Sequence, residues 1–262
     1  PGCGTMAVGI HQGRITLFID PEFTKDISLR FALFAVKHEV YGHYATAHIP
    51  RFIEFLSRWT KPEDRKLAHD LNNIAADCAA NSLLRRESHF AAADREFLAY
   101  QRQKSPNNPL LEKLEGGLIL PERYGMAPDK SLEYYLTELM KRAGLGNPQR
   151  TEAHATCAAM LHEDAQRTSH GQWPGIDEVL TMSPDELHSL SHKTHNQTKN
   201  TLRKALKETP NRGRGTLPGD VVEWLDEYLA EPIVPWWELF TSRIMTTKRT
   251  KLDRGIQRPN RA

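Results

Sequence analysis

Lys37-His38-Glu39-Val40-Tyr41-Gly42-His43 sets two imidazoles and a carboxylate inside an otherwise apolar segment. Groups of this kind are costly to bury unless a metal or hydrogen bonds satisfy them. A zinc hydrolase needs two neutral nitrogen ligands and a carboxylate that can take a proton from water. The common arrangement separates the histidines by four, which puts both on one helical face; here they are five apart. At about 3.6 residues per turn, that step rotates the second imidazole by roughly 140° from the first. A regular α-helix therefore cannot aim both rings at one ion, whereas a π-type turn with its i→i+5 hydrogen bond can. Gly42 stands where such a distortion is cheapest. The bland alternative is a pair of ordinary polar residues on an amphipathic helix.

Before this stretch, Thr5 to Ile10 and Arg14 to Ile19 are β-prone runs joined by His11-Gln12-Gly13, a short hairpin that Asp20-Pro21-Glu22-Phe23 breaks. Such a hairpin either pairs with an extended substrate along its edge or simply covers the core. From Ile27 the spacing of Leu29, Phe31, Leu33, Phe34, Val36 and Val40 predicts a buried helix. It should end near Ile49, because Pro50 disfavours helical geometry in the residue before it. A second short helix is expected over Arg51 to Trp59.

The third helix, opening at Lys61-Pro62-Glu63-Asp64, carries two stripes: Leu67, Leu71, Ile74 and Cys78 on one, Asp70, Asn73, Asp77 and Asn81 on the other. Flanking alanines permit close packing, and acids and amides on a packed face need partners. Asp77 is the expected third ligand, completing two histidines and a carboxylate with His38 and His43; Glu133 and His48 are the alternatives. Asp77 could instead orient a histidine by hydrogen bonding, a role open to Asp70 as well. His69 is expected to face outward.

In their order along the chain these residues resemble a known family, the bacterial metallopeptidase-type domains found in front of a von Willebrand factor A-like domain. The likeness lies in Asp20-Pro21-Glu22-Phe23, His38-Glu39-Val40, His48-Ile49-Pro50-Arg51, Asn73-Ile74-Ala75-Ala76-Asp77 with Asn81, Leu120-Pro121 and Ser131-Leu132-Glu133-Tyr134-Tyr135. Gly215-Thr216-Leu217-Pro218, Pro235-Trp236-Trp237 and Arg258-Pro259-Asn260-Arg261 extend it to the C-terminus. Gly42 departs from the family pattern, standing where the second histidine usually lies; either His43 takes over through a bulge or metal binding is altered. HExxGH itself resembles the zinc motif of the dipeptidyl peptidase III family, which implies that the longer spacing can bind zinc. The resemblance also implies a MoxR-like AAA+ ATPase as a partner.

Downstream, helices are expected over Ser88 to Gln103, Leu132 to Ala143, Glu152 to Arg167 and Pro184 to Glu208, with a long connection from Gly116 to Pro128. Tyr134, Tyr135 and His170 are outside candidates for stabilising an oxyanion. His154, Cys157 and His162 read as structural, because Cys157 lies off the face of the other two. His188, His192 and His195 read as a solvated face. The basic residues Lys204, Arg212, Arg214, Lys248, Arg249 and Lys251 are offset by the acidic Glu223 to Glu231 stretch. A net charge of +2 over 262 residues argues against a dedicated nucleic-acid binder.

Three scattered cysteines suit a reducing compartment, no apolar run approaches a membrane span, and a cytoplasmic location is expected. The opening Pro-Gly-Cys-Gly and closing Arg-Pro-Asn-Arg-Ala suggest a piece of a longer chain. The expected architecture is mainly α with a small N-terminal β-sheet (α+β): a zincin-like core over 1–145 and a helical extension over 146–262. The expected activity is zinc-dependent hydrolysis of a protein or peptide substrate, with Glu39 as general base. The rival readings are a catalytically inactive adaptor for the ATPase and a nucleic-acid-binding protein.

Overall fold

The computed structural model describes residues 5–107, 109–112, 114, 116–167, 174–208, 225–226 and 228–230. Residues 1–216 form one compact unit and 217–262 another; of the second, 225, 226, 228 and 229 are helical. Among its described residues the first unit is mostly helical, with one antiparallel hairpin.

Strands β1 (Met6–His11) and β2 (Arg14–Ile19) pair in the register Met6↔Ile19 through His11↔Arg14. Gln12 and Gly13 both have positive φ, 50° and 67°, the conformation a two-residue hairpin turn needs to match strand twist. β1 is buried along all but its last residue, while β2 alternates. Asp20 does more than end β2: its carboxylate accepts from the backbone N–H of Glu22 at 2.9 Å and caps α1 (Pro21–Lys25).

The helices that follow are α2 (Leu29–Lys37), a π-helix (His38–Ala45), α3 (His48–Leu56), α4 (Pro62–Leu84), α5 (Phe90–Lys104) and α6 (Pro109–Glu112). After a 3-10 turn at Pro121–Tyr124 come α7 (Leu132–Ala143), α8 (Glu152–Arg167), α9 (Ile176–Thr181) and α10 (Pro184–Glu208). The sequence break at Pro50 falls elsewhere: Ala47 adopts the left-handed region (φ 56°), and Pro50 sits inside the first turn of α3. Proline is tolerated there because that N–H would lack an intrahelical acceptor in any case.

α4 is the axis of the fold, packed by the π-helix and by α3, α7, α8 and α9. Its middle is therefore buried on every side, which overturns the expectation that His69 faces outward; it lies buried against the Phe52 ring at 5.8 Å. Polar residues on such a helix need fixed partners. Arg65 donates to the carbonyls of Trp59, Leu180 and Met182, and Ser82 meets the Tyr135 hydroxyl at 3.3 Å. Among the described residues no helix is long and apolar enough to cross a membrane.

Candidate metal centre

The histidine spacing is resolved by backbone geometry. His38–Ala45 is a π-helix of eight residues, so residues five apart come back into line. The Nε2 atoms of His38 and His43 stand 2.9 Å apart. Gly42 serves this arrangement differently from expectation. Its φ is not positive; a Cβ there would lie 2.5 Å from the Ala80 Cβ on α4. The missing side chain lets the π-helix approach the helix that carries the third group. Gly42→Ala is expected to cost about 1–3 kcal/mol, the usual penalty for overpacking, and to weaken metal binding; urea unfolding and a zinc titration measure both.

Asp77 comes from α4 to complete the cluster. Its Oδ1 lies 3.4 Å from His38 Nε2 and 3.3 Å from His43 Nε2, with all three side chains buried. Tetrahedral zinc with donors at about 2.0–2.1 Å needs donor atoms about 3.3 Å apart; the two edges from Asp77 already have that length, and the 2.9 Å edge between the imidazoles would have to open slightly. Among the described residues this is the group of histidine, cysteine and acidic side chains close enough to hold an ion.

The two alternatives for the third position are placed elsewhere. Glu133 pairs with Arg51 and is exposed. His48 stands behind His43, the two Nδ1 atoms 3.2 Å apart. For His43 to offer a lone pair at Nε2 its Nδ1 must carry the proton, so His48 Nδ1 acts as acceptor and holds the ring. Asp70, considered as a possible partner of a metal histidine, instead receives His162 Nδ1 at 2.6 Å and lies beside His69. Two turns of α4 separate it from Asp77, enough to send it to a different neighbour, α8.

Electrostatics follow the same geometry. Burial opposes charge on His38, but Asp77, Glu39 and Asn81 outweigh it and raise its pKa. On His43 burial prevails, aided by His38, and the pKa is lowered despite Asp77. Burial, His43 and Arg51 hold His48 well below its ordinary value. The shifts on His43 and His48 are towards the neutral form, the one that can offer a lone pair to an ion, whereas that on His38 is towards the protonated form.

Glu39 is buried beside the triangle, and its Oε2 accepts from the Val8 N–H of β1 at 2.8 Å. Farther along the same strand edge, the Ile10 N–H donates to the Pro174 carbonyl at 2.9 Å. The hairpin therefore braces the motif, a contact that a β-prone run alone could not announce. Asn81 donates to the Ile119 carbonyl at 2.8 Å and ties the connection after α6 to the site.

The remaining candidates are not brought to the triangle. The Tyr135 hydroxyl donates to the Ala127 carbonyl at 3.0 Å and accepts from the Lys130 N–H at 3.1 Å; Tyr134 is partly exposed. His154 contacts Thr151 at the start of α8, His188 and His192 are exposed, and His195 is half-buried near Glu54. His170, Arg212, Arg214, Lys248, Arg249 and Lys251, and the C-terminal Gly215–Pro218, Pro235–Trp237 and Arg258–Arg261 segments, lie outside the described residues.

A π-turned HExxGH segment whose two histidines meet Asp77 of α4 in a buried cluster, with Glu39 alongside, is the arrangement of a metallopeptidase-type domain. The chain belongs to the family described as "putative metallopeptidase domain", whose model matches residues 1–262. No curated protein and no solved structure matches it significantly.

Proposed function

We propose that the chain is a zinc-dependent peptide hydrolase in which His38, His43 and Asp77 hold the metal and Glu39 is the general base. The observation that carries this reading is the convergence of two Nε2 atoms and one carboxylate oxygen to within 3.4 Å of one another in a buried cluster. Two nitrogens and one oxygen suit zinc, and three protein ligands leave a fourth position for chemistry. When bound, zinc supplies a Lewis acid that polarises a carbonyl and makes water acidic near neutral pH.

The residues divide the remaining work. Val8 fixes Oε2 of Glu39 and so orients the carboxylate that would take a proton from the attacking water. Glu39 then returns that proton to the leaving amine, so it ends the cycle as it began. Its burial among fixed dipoles keeps bulk water from competing for the proton. His48 keeps His43 in the ligating tautomer.

The test is metal analysis together with cleavage of a mixed peptide library by the zinc-loaded chain. One zinc per chain and hydrolysis lost on chelation are expected; stoichiometric zinc with no cleavage of any peptide would refute the hydrolase and leave an adaptor. Zinc binding also reaches into stability. At a free concentration one hundred times Kd it should add about 2.7 kcal/mol, read as a chelator-reversible shift of the urea midpoint.

A further inference from the structure

Asn81 stands one turn beyond Asp77 on α4 and is 1 % exposed. We infer that it is a positioning residue for the metal centre: its Oδ1 accepts the Nδ1 proton of His38 and so keeps the Nε2 lone pair of that ring aimed at the ion. This rests on the metal site proposed above and supplies the group that orients its first ligand.

A neutral imidazole ligates through one nitrogen while the other carries the proton. Unless that proton is given to a fixed acceptor, the ring is free to turn and aim the wrong atom at the ion. His43 has such an acceptor in His48. His38 directs Nε2 towards His43 and Asp77, which leaves Nδ1 on the far side of the ring. The side chain is buried, so bulk water is not at hand and the acceptor has to come from the protein.

Asn81 is placed to be that acceptor. Four residues along an α-helix return to within roughly 40° of the starting direction, so α4 turns Asp77 and Asn81 to the same side. Asn81 and His38 line the same small space beside the cluster. The two ends of the amide are already told apart: Nδ2 donates to the Ile119 carbonyl at 2.8 Å, and the buried Oδ1 is engaged by no other donor among the described residues. Burial opposes charge on the His38 ring; Asp77 and Glu39 favour it, and a side-chain hydrogen bond to Asn81 works in the same direction. An amide also neither gains nor loses a proton where histidines titrate, so the hold on Nδ1 is the same with and without an ion.

The experiment separates this role from the tie to Ile119. Asn81→Asp keeps an acceptor for His38 but cannot donate to the Ile119 carbonyl, whereas Asn81→Leu loses both. Zinc titration of the full chain should find the leucine variant weakened about 10- to 100-fold, the usual worth of a group that orients a ligand. The aspartate variant should bind at least as tightly as the unaltered chain, because a carboxylate on Nδ1 makes the ring more basic. Equal or greater loss in the aspartate variant would reduce Asn81 to a structural tie and overturn the inference. A second arm needs no metal. In nitrogen-edited NMR of the metal-free chain, the His38 Nδ1 proton should give a slowly exchanging downfield resonance that survives in Asn81→Asp and is lost in Asn81→Leu. Its absence from the unaltered chain, or its persistence in the leucine variant, would also overturn the assignment. Failure of the unaltered chain to take up zinc would refute the metal site instead, with the proton resonance still deciding what Asn81 holds.

Discussion

Glu39→Gln is expected to keep zinc within about tenfold of the original affinity while slowing peptide hydrolysis by at least about 10²–10⁴-fold, the usual contribution of a positioned general base. The two effects separate because Glu39 lies outside the triangle formed by His38, His43 and Asp77. A glutamine can still accept the Val8 N–H through its carbonyl oxygen, so the brace between β1 and the π-helix survives. What it cannot do is take the proton. Removing the negative charge also lessens the stabilisation of protonated His38, which lowers that group's pKa and favours the neutral ligand. Zinc content measured alongside single-turnover hydrolysis decides the matter. Loss of zinc would make Glu39 a ligand, and undiminished turnover would place the base elsewhere.

Asp77→Ala should have the opposite signature, with zinc affinity falling by more than about a hundredfold and hydrolysis disappearing with it. Groups that merely orient a ligand are worth about 10- to 100-fold in affinity, and Asp77 is placed to contact the ion directly. In the metal-free chain the same variant removes the main counterweight to burial at His38, so that histidine should titrate lower, observable by NMR. Glu133→Ala is the control: its carboxylate pairs with Arg51, and its loss should leave zinc affinity unchanged. Equal damage from both substitutions would mean that the triangle is not the metal site.

The contrast between these two acids shows what sequence reasoning could reach. Asp77 stands in register with Asn73 and Asn81 on a helix whose alanines announce close packing, so its inward direction was readable from periodicity. Glu133 and His48 were equally plausible as chemistry. Only the meeting of α3 with α7, which gives Glu133 an arginine, and the left-handed turn at Ala47, which puts His48 behind His43, removed them. Asp70 shares the stripe of Asp77, yet its partner is His162, ninety-two residues away.

By itself the sequence determined what depends on nearest neighbours and on helical period. The hairpin follows from Gln12-Gly13, the end of β2 from Asp20-Pro21, and the interest of the π-turn from histidines five apart that a regular helix would aim in different directions. Tertiary structure alone decided the contacts between distant segments: Gly42 against Ala80, Val8 on Glu39, the burial of His69 and Asn81 on the Ile119 carbonyl. The physical reason is that backbone hydrogen bonding repeats over a few residues and leaves a local signature. Packing instead selects partners by distance after the chain has folded back on itself, and spacing along the chain carries no record of that choice.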